Sequence, residues 1–172
     1  HISLFKNDEP LKLHYKKNLT FFNPKDFYLE PGKNEKDFFK QKIDKINIFI
    51  KIENNIIIKL WHDSKSDSDL KMLINLFFEI ILNKNIQEAA DHGIIYLEDK
   101  LRLKNTKNSI NGIILPMQAG LYFNKLNDSI RNVFKDYKMK KKIEFDINKN
   151  YFDISEDWKN LELNKKMKKI NE

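Results

Sequence analysis

Two pairs of adjacent residues in this sequence could bind a metal ion. His62-Asp63 and Asp91-His92 each place an imidazole beside a carboxylate, and zinc and iron accept both ligand types in proteins. If the two pairs approach each other in the fold, their four side chains could hold zinc or iron. The alternative is that Asp63 is a cap beside a surface histidine and that His92 is packed within its helix.

A run of lysines indicates a different chemistry. Lys138, Lys140, Lys141 and Lys142 could follow the phosphate backbone of a nucleic acid, and the formal net charge of +7 agrees with such a partner. Arginine, however, occurs only at positions 102 and 131, and arginine is the residue that best makes bidentate contacts with phosphate and guanine. A solvated helix face is therefore the alternative for this run.

Several other chemistries are excluded or lack their motifs. The chain has no cysteine, which excludes disulfides, thiolate catalysis and thiolate metal ligands within it. Its four glycines are scattered, so the sequence contains neither a P-loop nor a dinucleotide-binding fingerprint. The segment 66–69 superficially resembles a calcium loop, but it lacks the required glycine and the bidentate glutamate. It is predicted to cap a helix instead.

The elements that position these residues form one stretch from Ile46 to Arg102. Isoleucine at every second position from 46 to 52 predicts a strand with one buried face. Asn54-Asn55 supplies a turn, because asparagine tolerates positive φ. The isoleucine-rich segment that follows predicts a return strand ending at His62.

A nearly buried helix is predicted after this hairpin, at about 69–82. From Leu70 to Leu82 the strongly polar residues are Lys71, Asn75 and Glu79, which are four apart and form one narrow stripe. At roughly 13 residues the helix is too short to cross a bilayer, which takes about 20.

Two further helices are predicted at about 86–102 and 126–138. Asn85 is the expected cap of the first, and its small residues, among them Gly93, would let a neighbouring helix approach closely. Glu98 and Arg102 are expected on a solvated face. The second helix carries its apolar face from Leu126 to Tyr137 and ends in the lysine run.

The remaining segments are less regular. Residues 1–45 are expected to be an arm that wraps onto the core through its aromatic residues. Within it, a short strand is predicted around Leu11 to Tyr15 and a helical turn around Asp37 to Ile43. Alternation of apolar and acidic residues predicts a further strand at 143–147.

Together these elements predict an α+β fold for a single domain of residues 1–172. Residues 1–45 are its arm, 46–160 its core and 161–172 a charged tail that frays. The antiparallel sheet is built on the 46–61 hairpin and packs against the helices at about 69–82, 86–102 and 126–138. A hydrophobic fraction of 41% agrees with a folded chain.

The order of these elements resembles the iron–sulfur scaffold superfamily, NifU/IscU and the related SufE sulfur acceptors. In that superfamily an antiparallel sheet is followed by a helix that leads to a stretch of the form GK-T-x-E-E-A. Here Asn83-Lys84-Asn85-Ile86-Gln87-Glu88-Ala89 stands in that place, and a family cysteine would fall near Trp61-His62-Asp63. The resemblance covers about residues 46–102. Because the family's working residues are cysteines, no catalytic or cluster-binding residue is carried over.

The resemblance implies a fold used for binding or assembly. We therefore expect a non-enzymatic protein that acts through a protein partner, with an exposed apolar patch around Ile113 to Met117 or at Tyr122-Phe123. One alternative is a basic RNA- or ribosome-associated protein, and another is an enzyme with zinc or iron at His62 and His92. The sequence shows no membrane span. We expect an intracellular protein, in the cytoplasm or in an organelle after removal of a targeting sequence.

Overall fold

A computed structural model gives the structure of the chain and describes residues 8–30, 35–102, 120 and 122–168. The elements in chain order are α1 (Asp8–Leu19), β1 (Phe39–Ile43), β2 (Ile46–Glu53), β3 (Ile56–His62), α2 (Asp69–Ile81), α3 (Ile86–Leu101) and α4 (Phe123–Lys168). The three strands form one antiparallel sheet in the order β1-β2-β3. With the helices packed on it, this sheet confirms the predicted α+β fold.

The chain divides into two compact units, His1–Lys135 and Asp136–Glu172. The first contains the sheet with α1, α2 and α3, and the second contains the greater part of α4. The prediction of one domain over residues 1–172 stays a prediction. Among the described residues, no helix combines the length and the apolar character needed to cross a lipid bilayer.

The predicted hairpin is formed by β2 and β3. β2 buries an isoleucine at every second position, as expected of a strand with one apolar face. Asn54 and Asn55 form the turn with φ angles of 50° and 67°, the left-handed pair that a two-residue type I′ turn requires. The register pairs Ile57 with Ile52 and Lys59 with the neighbouring Lys51. Ile58 is therefore an extra residue in a β-bulge.

Helices α2 and α3 pack against each other and supply much of the core. Ser68 and Asn85 cap them by accepting hydrogen bonds from backbone N–H groups of the first turn, which agrees with the sequence prediction. Gly93 lies where the two helices approach, since a Cβ atom there would be 3.1 Å from Phe77 Cε1. The predicted small position thus permits the close approach.

The N-terminal arm contains two elements that the sequence does not predict correctly. α1 covers the segment where a strand is expected from Leu11 to Tyr15, because Tyr15 and Leu19 are four residues apart and form a buried helix face. β1 covers most of the segment where a helical turn is expected. β1 is formed by its hydrogen bonds with the edge of β2. Because this pairing depends on a partner strand, the five residues of β1 do not predict it by themselves.

The strand predicted at 143–147 is wrong, because these residues lie inside α4. The alternation spans only five residues, and Ile143 and Ile147 are also four apart, which equally fits one helix face together with Met139. All three of these side chains are exposed. α4 therefore extends the helix predicted at about 126–138, and it continues to Lys168, within the segment predicted to fray.

A buried polar network joins α1 to α3. Tyr15 Oη donates a hydrogen bond to Glu98 Oε1 at 2.8 Å, and Arg102 Nε lies 2.7 Å from both oxygens of the same carboxylate. Asn18 Nδ2 donates to Leu101 O at 2.6 Å. Glu98 is only 3% exposed, so its predicted place on a solvated face is wrong. Its partner Tyr15 lies 83 residues earlier in the chain, which no local pattern reveals.

Candidate binding groove at the edge of the sheet

His62, the last residue of β3, is completely buried. Its Nδ1 accepts a hydrogen bond from the backbone N–H of Ser64 at 3.1 Å, so the neutral ring carries its proton on Nε2. Nε2 donates to Asn75 Oδ1 at 2.8 Å and lies 3.3 Å from Asp26 Oδ1. Burial lowers the pKa of His62 below its ordinary 6.5, although Asn75 and Asp26 act in the opposite direction.

Asp26 connects this histidine to α2. Its Oδ2 is 3.2 Å from Lys71 Nζ, and its Oδ1 accepts a hydrogen bond from Tyr28 N at 3.0 Å. Partial burial acts to raise the pKa of Asp26, but the hydrogen bonds from Tyr28 and Lys71 outweigh it and lower the pKa. Lys71 and Asn75 are buried, so two members of the predicted polar stripe on α2 belong to this cluster.

The cluster anchors the segment Lys25–Leu29 beside the end of β3. Asn75 Oδ1 accepts a hydrogen bond from Phe27 N at 3.1 Å. The backbone of His62 adds two bonds, donating to Phe27 O at 3.1 Å and accepting from Leu29 N at 3.0 Å. Because the ring of His62 has no exposed surface, the arrangement suits positioning of this segment rather than contact with a solute.

The four residues of the predicted metal site lie in different surroundings. His62 is buried, Asp91 and His92 are exposed on α3, and Asp63 accepts two hydrogen bonds from Asn47 at 2.9 and 2.8 Å. The alternative of a surface His62 and a packed His92 is thus reversed. Within the described ranges, no three His, Asp or Glu side chains form a group that could hold a metal ion, so the structure does not gather these four together.

The predicted nucleic-acid residues lie exposed on α4, namely Lys138, Lys140, Lys141 and Lys142. Lys141 Nζ is 3.9 Å from Glu144 Oε2 and 5.6 Å from the ring centroid of Tyr137. Exposure is required both by a phosphate contact and by a solvated face. The nucleic-acid site on α4 therefore stays a prediction.

The apolar patch predicted for an assembly role has two candidate locations. Ile113 to Met117 lies outside the described residues. Phe123 is fully buried and its ring is 5.2 Å from that of Tyr15, so Tyr122-Phe123 does not form the exposed patch. Apolar surface is found instead beside the edge strand β3.

Both ends of the outer edge of β3 are covered by other segments. At one end, His62 bonds to the anchored segment Lys25–Leu29. At the other end, Ile57 N donates to Lys84 O and Ile57 O accepts from Asn83 N, each at 2.9 Å. Covered edges prevent uncontrolled strand pairing, so an opening between them is informative.

The backbone of Leu60 forms such an opening in the edge of β3. Ile48↔His62 and Ile50↔Leu60 are alternate pairs of the same register, so Leu60 directs its N–H and C=O the same way as His62, away from β2. Among the described residues, no backbone group of a neighbouring segment bonds to Leu60 on this side. The edge therefore offers one donor and one acceptor to an added strand.

A groove of about 230 Å³ lies beside this open edge. Two lysines, Lys25 and Lys59, contribute to it, but its lining is mostly apolar, with Phe27, Leu29, Ile58, Leu60, Trp61 and Leu82. Pockets for small organic ligands typically measure about 300–1,000 Å³, so this groove suits one or two side chains. Backbone groups beside an apolar recess are the arrangement that binds extended peptides.

Sequence reasoning does not identify Asp26, Lys71, Asn75 or Leu60 as site residues. A signal existed for two of them, because a lysine and an asparagine on an otherwise apolar helix must find buried partners. The opening at Leu60 results from a bulge and two covering segments, which only the tertiary structure reveals. Comparison of the chain with family models, with curated proteins and with solved structures gives no match.

Proposed function

We propose that this chain is a non-enzymatic binding protein and that the groove beside β3 binds an extended segment of a partner protein. The observation that carries the proposal is the open backbone edge at Leu60 next to an apolar recess. A partner strand would exchange hydrogen bonds with Leu60 and insert one apolar side chain into the recess.

The covered ends of β3 define the size of the contact. Among the residues that the structure describes, only the stretch from Ile58 to Leu60 is open between them, so the added strand is short. Most of the affinity must then come from the side chain anchored in the recess. Lys25 is exposed at the groove and favours an acidic residue next to that anchor.

A scaffold-like assembly role is part of the proposal. The order of hairpin, α2 and α3 supports it, because the resemblance to the iron–sulfur scaffold superfamily rests on this order. The chain has no cysteine, so it would contribute to assembly through protein contacts rather than through thiolate ligands.

The test uses phage-displayed random peptides as the probe. The tightest peptide is selected on the wild-type protein, and its affinity is then measured by fluorescence anisotropy for Ile58→Glu and for Ile95→Glu. Ile58 lines the groove and is 38% exposed, whereas Ile95 lies on α3 outside it and is 53% exposed. The two substitutions therefore add the same charge to similarly exposed isoleucines.

We expect Ile58→Glu to weaken binding about tenfold or more, because it places a carboxylate against an apolar anchor. Ile95→Glu should bind like the wild type, and both variants should keep the wild-type melting temperature within a few degrees, as expected for exposed positions. Failure to select any peptide, or equal weakening by the two substitutions, would overturn the proposal.

A further inference from the structure

The outer face of the sheet, opposite the buried isoleucines of β2, carries lysines from all three strands. The register places Lys40 of β1 opposite Phe49 and Lys42 of β1 opposite Asn47. We define the basic face by its lysines and its rings: Lys40, Lys42, Lys51, Lys59, Phe38, Phe49 and Trp61. Lys40 and Lys42 are exposed, and no acidic partner is found for either among the described residues.

Two lysines of this face stand directly opposite each other. Lys51 of β2 and Lys59 of β3 are Cα partners, and like charges in this position destabilise a sheet. The carboxylate of Glu35 lies between them, with Oε2 3.8 Å from Lys51 Nζ and Oε1 bonded to Lys59 Nζ. The hydrogen bond from Lys59 lowers the pKa of Glu35. The fold thus contains an anion site, occupied by a side chain of its own.

An aromatic platform adjoins this anion site. The ring of Phe38 makes edge-to-face contacts with Phe49 at 5.4 Å and with Trp61 at 5.6 Å, and the latter two rings stack at 5.3 Å. Phe38 is 37% exposed. Its position is therefore held by two supporting rings while part of its surface remains in water.

We propose that the basic face binds single-stranded nucleic acid. A row of cations beside an exposed ring on a sheet is suited to phosphates with a base stacked on the ring. In this arrangement Lys40, Lys42, Lys51 and Lys59 contact phosphates, and Phe38 supports one base. The bases of a double strand are already stacked on one another, except at its ends. The ring therefore favours a single strand. Glu35 competes with phosphate for Lys51 and Lys59.

The test uses the full chain with fluorescein-labelled oligothymidylate and oligouridylate of about 12 nucleotides, a typical site size. Anisotropy is measured over a salt series. Phe38→Tyr keeps the ring and Phe38→Leu removes it without a change in charge. The double variant Lys40→Gln/Lys42→Gln is compared with Lys12→Gln/Lys17→Gln, which removes two exposed lysines of α1.

Stacking on Phe38 predicts that Phe38→Leu weakens binding about tenfold and that Phe38→Tyr does not. Loss of two phosphate contacts in Lys40→Gln/Lys42→Gln should reduce the slope of log affinity against log salt by roughly 1.4, whereas the α1 variant should keep the slope. Glu35→Gln should raise the affinity roughly two- to fivefold, because it frees two lysines for phosphate.

Three results would overturn this inference. The first is an absence of binding at low salt to either oligonucleotide by the wild type and by Glu35→Gln. The second is an equal loss of oligonucleotide affinity in Lys40→Gln/Lys42→Gln and in Lys12→Gln/Lys17→Gln. The third is competition by polyglutamate as strong as by unlabelled oligonucleotide, together with no effect of Phe38→Leu, since the face would then bind acidic chains by charge alone.

Discussion

The ring of His62 is held in one neutral tautomer by Ser64 and Asn75, and burial lowers its pKa below 6.5. The unfolded chain takes up this proton at a higher pH than the folded chain does. Below about pH 6.5 the unfolded state therefore binds more protons, and the free energy of unfolding decreases as the pH falls. Burial, followed by the charge of Lys17, lowers the pKa of His14 as well, so both rings act in the same direction.

We predict that the free energy of unfolding, measured by urea titration, falls as the pH is lowered from about 7.5 to about 5. His62→Gln should remove part of this slope and His14→Gln another part, because each removes one titrating ring. Asp26, whose pKa is lowered from 3.8, contributes stability that is lost only at still lower pH.

The control for this experiment is His92→Gln, which removes an exposed imidazole from α3. It tests whether the loss of any imidazole, rather than of the buried one, reduces the slope. A full wild-type slope in His62→Gln would contradict the account, since His62 would then not be the buried neutral ring that the structure describes.

The sequence predicts the position of His62 but not its surroundings. The strand pattern predicts His62 at a strand end, and the structure places it at the end of β3. Its burial could not be predicted, because Asp26 and Asn75 come from a loop and a helix that the strand pattern does not specify. A helix cap such as Ser68 can be predicted, because its hydrogen-bond partner is close in the sequence. A buried polar cluster cannot, because its members are far apart in the sequence.

Among the elements, α1 is joined to α3 by the bond from Tyr15 to the buried carboxylate of Glu98. We predict that Tyr15→Phe lowers the free energy of unfolding by about 1–2 kcal/mol, because it removes a buried donor from a charged acceptor. Urea titration near neutral pH measures this change. The ring contact with Phe123 is kept in the variant.

Tyr96→Phe is the matched control, since Tyr96 Oη donates to Glu88 Oε1 at 3.1 Å on an exposed surface. Its unfolding should match that of the wild type within error. Equal destabilisation by the two variants, or none by Tyr15→Phe, would show that the bond between α1 and α3 does not contribute as described.

The elements also differ in how well the sequence predicts them. Complete local patterns of apolar spacing, turn residues and capping predict β2, its turn at Asn54-Asn55, α2 and α3. The prediction of these elements is confirmed. β1 depends on pairing with β2, and five alternating residues at 143–147 fit helix and strand equally. Short segments therefore needed tertiary information.

For the whole molecule, net charge and composition do not predict where the binding surfaces lie. A net charge of +7 does not say where the lysines gather. The register of the sheet places four on one face, two of them directly opposed, while the groove lies at the edge of the same β3 strand. Lys59 and Trp61 contribute to both surfaces, so β3 is the element on which both proposals depend.

The edge of β3 is open at Leu60, and we propose that it accepts a partner strand. Amide hydrogen exchange of Leu60, measured by NMR without and with the selected peptide, tests both the opening and the binding. Lys59 and Trp61 are the internal controls, because their N–H groups face β2.

We predict that the Leu60 amide of the free protein exchanges about tenfold faster, or more, than those of Lys59 and Trp61, and that the peptide slows it to their range. Slow exchange of Leu60 in the free protein would contradict an open edge. Fast exchange that persists with the peptide bound would contradict binding by strand addition.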